Sequence, residues 1–115
     1  MPEPHVFDAN AMEWSRDPRF PKIAIKILES KLTHPTTSVV LVRLEPGADI
    51  QTHVHEVASE TAYILDGEGT FTVDGERIVQ TAGMGLTVPP GTPHSLVNTG
   101  SGALELIAMH SPPTR

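Results

Sequence analysis

The sequence predicts an all-β domain, a barrel or sandwich of about eight to ten short strands, and three observations carry that reading. Eleven prolines and nine glycines break the 115 residues every few positions, which leaves little room for long helices. Apolar and polar residues alternate in short runs, the period of a strand with one buried face. Turn dipeptides separate those runs, and Asp74-Gly75 is the strongest hairpin signal among them.

Residues 1–21 carry four prolines and mixed polarity, so they read as an N-terminal arm crossing the body of the domain. A short strand is expected around His5–Phe7, with Trp14 and Phe20 as apolar anchors. In Lys22–Glu29, Ile23, Ile25 and Ile27 fall on one face and Ala24, Lys26 and Leu28 on the other. A polar turn, Ser30–Thr36, leads into the β-branched run Thr37–Leu44, which the Glu45-Pro46-Gly47-Ala48 turn closes. A strand bearing His53 and His55 follows, then Glu60–Leu65, closed by Asp66-Gly67-Glu68-Gly69. Thr70–Val73 and Glu76–Gln80 flank the Asp74-Gly75 turn; Leu86–Val88, His94–Asn98 and Ala103–Met109 complete the set. The tail Ser111-Pro112-Pro113-Thr114-Arg115 cannot pair as a central strand. With no fixed-period repeat and no interior linker, residues 1–115 read as a single domain.

Composition narrows the function classes. A net charge of -6 and scattered basic residues disfavour nucleic acid, whose phosphates require a positive surface. There are no cysteines, so disulfides and thiolate ligands are excluded. The N-terminus lacks the basic and apolar regions of a signal peptide, and no apolar stretch approaches the roughly 20 residues needed to span a bilayer. A cytoplasmic protein with no membrane partner is the expectation, and the length leaves no space for a helix-turn-helix beside the barrel.

Four residues carry the chemistry. His53, His55 and Glu60 stand in Gly47-x5-His53-x-His55-x4-Glu60-x6-Gly67, and His94 stands in Gly83-x5-Pro89-x-Gly91-x2-His94-x3-Asn98. Three imidazoles and a carboxylate hold one divalent transition metal (Mn, Fe, Ni, Co or Zn) and leave positions open for a ligand. On a strand, His53 and His55 point the same way, about 6.5–7 Å apart, with Gln51 on their face. Glu60 opens the next strand, and His94 closes the site from across the barrel, with Leu96 and Asn98 on its face. Gly47, Gly67 and Gly91 suit positive φ or close backbone approach, while Pro89, Pro90 and Pro93 stiffen the segment before His94. The competing reading, a metal-free polar cluster, requires every buried polar atom to be satisfied within it.

Both blocks resemble the two signature motifs of the cupin superfamily at every defining position between Gly47 and Asn98. The short spacer Glu68–Ala82 is similar to that of small single-domain microbial cupins. The resemblance implies a jelly-roll β-barrel, often a homodimer, with His53, His55, Glu60 and His94 as metal ligands.

Other residues receive plainer readings. His5, His34 and His110 are expected at the surface, and Glu56 in a solvated loop. Gln51 is the candidate for orienting a ligating imidazole. Phe71, Leu96, Ile107, Met84 and Met109 fill the core or line a pocket. Tyr63 is expected to point away from the metal, toward a subunit contact.

Three functions compete. The first is a metal-dependent small-molecule enzyme with oxygenase-like chemistry, a dioxygenase before an isomerase or lyase; no catalytic residue beyond the ligands is singled out. The second is a non-catalytic metal and small-ligand binding module. The third is a barrel whose metal serves only the fold.

Overall fold

The structure is a computed structural model that describes residues 3–115. In chain order its strands are β1 (Ser15–Arg16), β2 (Ile23–Glu29), β3 (Ser38–Leu44), β4 (Asp49–His53), β5 (Ser59–Asp66), β6 (Glu68–Val73), β7 (Glu76–Thr81), β8 (Gly85–Val88), β9 (His94–Asn98) and β10 (Leu104–Ser111). They form a six-stranded sheet, β1-β2-β3-β10-β5-β8, and a four-stranded sheet, β4-β9-β6-β7. Every pairing is antiparallel, and the two sheets face each other as a jelly-roll barrel. Among the described residues the sole helical element is a single 3-10 turn, Ala9–Ala11.

Alternation along the strands builds the core. Leu104, Leu106 and Ala108 of β10 point inward, as do Val40, Val42 and Leu44 of β3 and Ala62 and Ile64 of β5. Phe71 of β6 and Leu96 of β9 meet them from the smaller sheet. The β6–β7 hairpin turns at Asp74 and Gly75 with φ of 48° and 82°, the paired positive values of a type I′ turn. Gly67 is required where it stands: its φ is 89°, and an added Cβ would lie 2.5 Å from the Ala103 carbonyl oxygen. The four-residue closing turn expected at Asp66–Gly69 therefore shrinks to one bent residue between β5 and β6.

Two bulges correct the simple alternation. In β2 the register slips between Ile27 and Glu29: Ile27, opposite Val40, is 42% exposed, and the buried Leu28 lies with Val39 and Ile107 in a groove on the other face of the sheet. In β4 it slips between Ile50 and His53, placing Gln51 and Thr52 opposite Ser95 alone. That extra residue inverts the phase of the strand. Ile50 and His53 both line the interior, while Gln51, expected on the histidine face, is exposed.

The arm differs from expectation in detail. His5–Phe7 form no strand; the arm pairs instead through β1, whose Ser15 and Arg16 lie opposite Ile25 and Ala24. The Lys26 ammonium donates to the Ala9 carbonyl at 2.7 Å and sits 4.6 Å from the Trp14 ring centroid, so Trp14 anchors the arm. Phe20 packs against the core. At the other end β10 runs beyond Met109 through Ser111, which carries His110 into the barrel.

Candidate metal centre

His53, His55, Glu60 and His94 each offer one ligand atom, and the four atoms lie within 4.8 Å of one another. The two sheets supply different members. His53 ends β4 and sits opposite His94, the first residue of β9. Glu60 comes from β5 in the larger sheet. His55 lies just past β4, where its carbonyl accepts the Gly91 N–H at 2.8 Å. Gly91 reaches that position with φ of 77°, so the glycine of the second motif holds a candidate ligand of the first.

Backbone carbonyls orient two of the rings. His53 Nδ1 lies 2.9 Å from the Gln51 oxygen and His94 Nδ1 2.9 Å from the Thr92 oxygen; with Nδ1–H donating, each ring turns its Nε2 lone pair to the centre. Gln51 therefore orients His53 through its main chain rather than its side chain. Nε2 of His55 and of His94 lie 3.2 and 3.5 Å from Glu60 Oε1. Neither makes a hydrogen bond, and both are buried. Buried acceptor nitrogens without donors are what a metal-free polar cluster would have to avoid, and a cation satisfies them. The donor set of the chain therefore fits a divalent transition metal.

His110 joins the candidate centre, against the expectation from sequence. Expected at the surface, it is 7% exposed, and its Nε2 lies 2.6 Å from Glu60 Oε1. Its position follows from register: His110 lies directly opposite Glu60 across the β10–β5 pair. The signal was present, since Leu104, Leu106, Ala108 and His110 continue one unbroken two-residue period. Burial works against the Glu60 charge, but the hydrogen bond with His110 and the fields of His110 and His94 outweigh it, so its pKa lies below the usual carboxylate range. Burial is also the largest influence on His55 and lowers its pKa, with the field of His110 acting in the same direction. For His94 burial opposes the cation but Glu60 prevails, and its pKa is raised.

The centre opens into a cavity of about 540 Å³. Ile23, Ile25, Val40, Phe71, Leu96 and Leu106 supply apolar wall, so Phe71 and Leu96 line the pocket as well as filling the core. Ile107 and Met109 face outward instead, in a shallow groove with Tyr63, and Met84 is half exposed. Asn98 is structural: its side-chain N–H groups donate to the Leu44 and Gly102 carbonyls at 3.0 and 2.9 Å. Glu56 is exposed, as expected. His5 lies 2.9 Å from Glu29 and His34 binds the turn at Thr36–Thr37, both away from the centre.

Residues 40–110 match the family model described as Cupin domain. The "Oxalate-binding protein" of Thermotoga maritima is 38% identical over 68 residues, 59% of this chain and 56% of that protein. The "Quercetin 2,3-dioxygenase" of Bacillus subtilis is 32% identical over 74 residues, 64% of this chain and 22% of that enzyme. The structure of KdgF from Halomonas sp. superimposes with a TM-score of 0.87 at 24% identity, covering 96% of this chain and 94% of that one. The chain spans about half the length, or less, of the curated relatives it matches.

Proposed function

The chain belongs to the cupin family, and from that premise we propose that it is a metal-dependent enzyme acting on a small organic molecule, with His53, His55, Glu60 and His94 as ligands. The observation that carries the proposal is the pair of buried, unpartnered Nε2 atoms on His55 and His94, facing a carboxylate whose charge the site favours. Mn, Fe, Ni, Co and Zn all suit three imidazoles and one carboxylate. Held by those four residues, such an ion would supply Lewis-acid polarisation of a bound oxygen and, as Fe(II), activation of O2.

The remaining work belongs to the chain. Gln51 and Thr92 carbonyls fix the rings of His53 and His94, and His110 fixes the Glu60 carboxylate. The apolar cavity wall takes the hydrocarbon part of a ligand and excludes water from the reacting end. Oxygenase-like chemistry is the preferred reaction, supported by the likeness to a dioxygenase over 64% of this chain. Stoichiometric O2 uptake by iron-loaded protein with an enol, diol or phenol-like compound is the expected result. No uptake across a broad panel of such compounds would remove oxygenation from the account.

A second reading, a non-catalytic metal and small-ligand binding module, is favoured by the 38% identity to a protein described as oxalate-binding. A ligand recovered unchanged after tight binding, with no turnover, would select it.

A further inference from the structure

The cavity that holds the four-residue cluster is also lined by Asp17, Arg19 and Arg115, which the metal reading leaves without a task. Asp17 and Arg19 satisfy each other. The Asp17 carboxylate, 5% exposed, accepts from the Arg19 backbone N–H at 2.9 Å, from Nε at 3.2 Å and from Nη2 at 3.0 Å. Arg115 has no such partner: among the described residues its guanidinium forms no ion pair and no hydrogen bond. The cavity is thus lined by two arginines and two carboxylates, Asp17 paired with Arg19 and Glu60 at the candidate metal centre, which leaves Arg115 the charged residue there without a partner.

The segment carrying Arg115 is fastened in place. The Lys31 N–H donates to the Arg115 carbonyl at 3.0 Å, and the Thr114 N–H donates to Ser38 Oγ at 3.1 Å. Ser38 is fully buried and lies opposite His110, which in turn lies opposite Glu60. Ser38, to which the tail is tied, therefore lies about two strand spacings, roughly 10 Å, from the candidate ligand Glu60. Burial and the Arg19 charge disfavour the Arg115 cation, while Asp17 favours it, and the balance lowers its pKa. A guanidinium nonetheless stays protonated in proteins, so a half-buried cation with no ion-pair or hydrogen-bond partner stands in the cavity lining, an arrangement a bound anion relieves.

We propose that Arg115 is the anion-binding residue of this cavity, and that the ligand is a small organic acid. The carboxylate of that acid lies in the Arg115 fork, and two adjacent oxygens at its other end would reach the ion that His53, His55, Glu60 and His94 would hold. The apolar wall between them accommodates the connecting carbon skeleton. This inference rests on the metal reading above and names the class of ligand for that site.

The test uses the full zinc-loaded chain and two probes. Catechol offers two adjacent oxygens alone; protocatechuate adds a carboxylate to the same ring. Metal content is measured first, in the wild-type chain and in Arg115→Gln and Arg115→Lys. All three should hold about one equivalent of zinc, because Arg115 is not a ligand. Titration calorimetry should show wild type binding protocatechuate about tenfold or more tighter than catechol, from charge-assisted bonding to the carboxylate. That preference should vanish in Arg115→Gln and survive in part in Arg115→Lys. No measurable preference in wild type, or a preference undiminished in Arg115→Gln, overturns the proposal. If wild type takes up no zinc, the metal reading fails by itself. The same two probes on the metal-free chain then still decide whether Arg115 selects a carboxylate.

Discussion

Nε2 of His110 stands 2.6 Å from Oε1 of Glu60, the shortest polar contact at the candidate metal centre, and both side chains are buried. It joins the last strand of the six-stranded sheet to the only acidic member of the centre. A ligating carboxylate that is itself hydrogen-bonded keeps its orientation when metal arrives. His110→Phe should therefore weaken metal affinity by about 10- to 100-fold, the range usual for partners that orient a ligand. Competition against a chelator of known affinity measures this, and unchanged affinity would reduce His110 to a packing residue.

Much of this centre was legible in the sequence. The motif spacings brought His53, His55, Glu60 and His94 together as expected, because strands of short, turn-bounded sheets leave few alternative placements. His110 departs from its expected surface position because β10 continues past Met109 to Ser111, keeping the alternation that Ala108 sets. Gln51 lies off the histidine face because of a bulge, which is a property of pairing between β4 and β9 and not of either strand alone. Arg19 and Arg115 lie far apart in sequence and far from both motifs, so only the folded tail and arm bring them to one cavity.

Two glycines with similar backbone angles should respond differently to substitution. Gly67 has φ of 89° and Gly75 has φ of 82°, but a Cβ on Gly67 meets the Ala103 carbonyl at 2.5 Å while one on Gly75 meets nothing within 4 Å. Gly75→Ala carries only the backbone strain, of order 1–3 kcal/mol. Gly67→Ala adds a clash with main chain and should cost more. Urea denaturation of both variants checks the order, and equal losses would contradict it.

Asp17 should contribute a pH dependence to stability. Its hydrogen bonds from Arg19 outweigh burial and hold its pKa below the ordinary 3.8. The folded-state value lies below the unfolded one, so the unfolded chain binds the proton first and acid favours unfolding. The contribution is fully present above about pH 4 and is lost as pH falls through the folded-state value. Asp17→Asn should be less stable than wild type at neutral pH, and the two curves should converge in acid. Glu60 titrates in the same direction in both proteins, so the difference between them isolates Asp17. Parallel curves would contradict the assignment.

The outer face of the six-stranded sheet bears an apolar groove lined by Phe7, Leu28, Val39, Tyr63, Ile107 and Met109. Tyr63 is 44% exposed there, turned away from the metal centre. Covering that face by a second copy is the expected assembly, since exposed apolar surface of this kind marks contacts. Light scattering at micromolar concentration should give twice the 12.4 kDa mass of one chain. A mass of 12.4 kDa would contradict the dimer.

The central claim is that His53, His55, Glu60 and His94 hold a metal ion. Elemental analysis of protein purified without chelator and without added metal tests it most directly, with His53→Ala prepared alongside. The account predicts about one equivalent of Mn, Fe, Ni, Co or Zn in the wild-type chain and its loss in the variant. No bound metal in the wild-type chain, even after reloading, would contradict it.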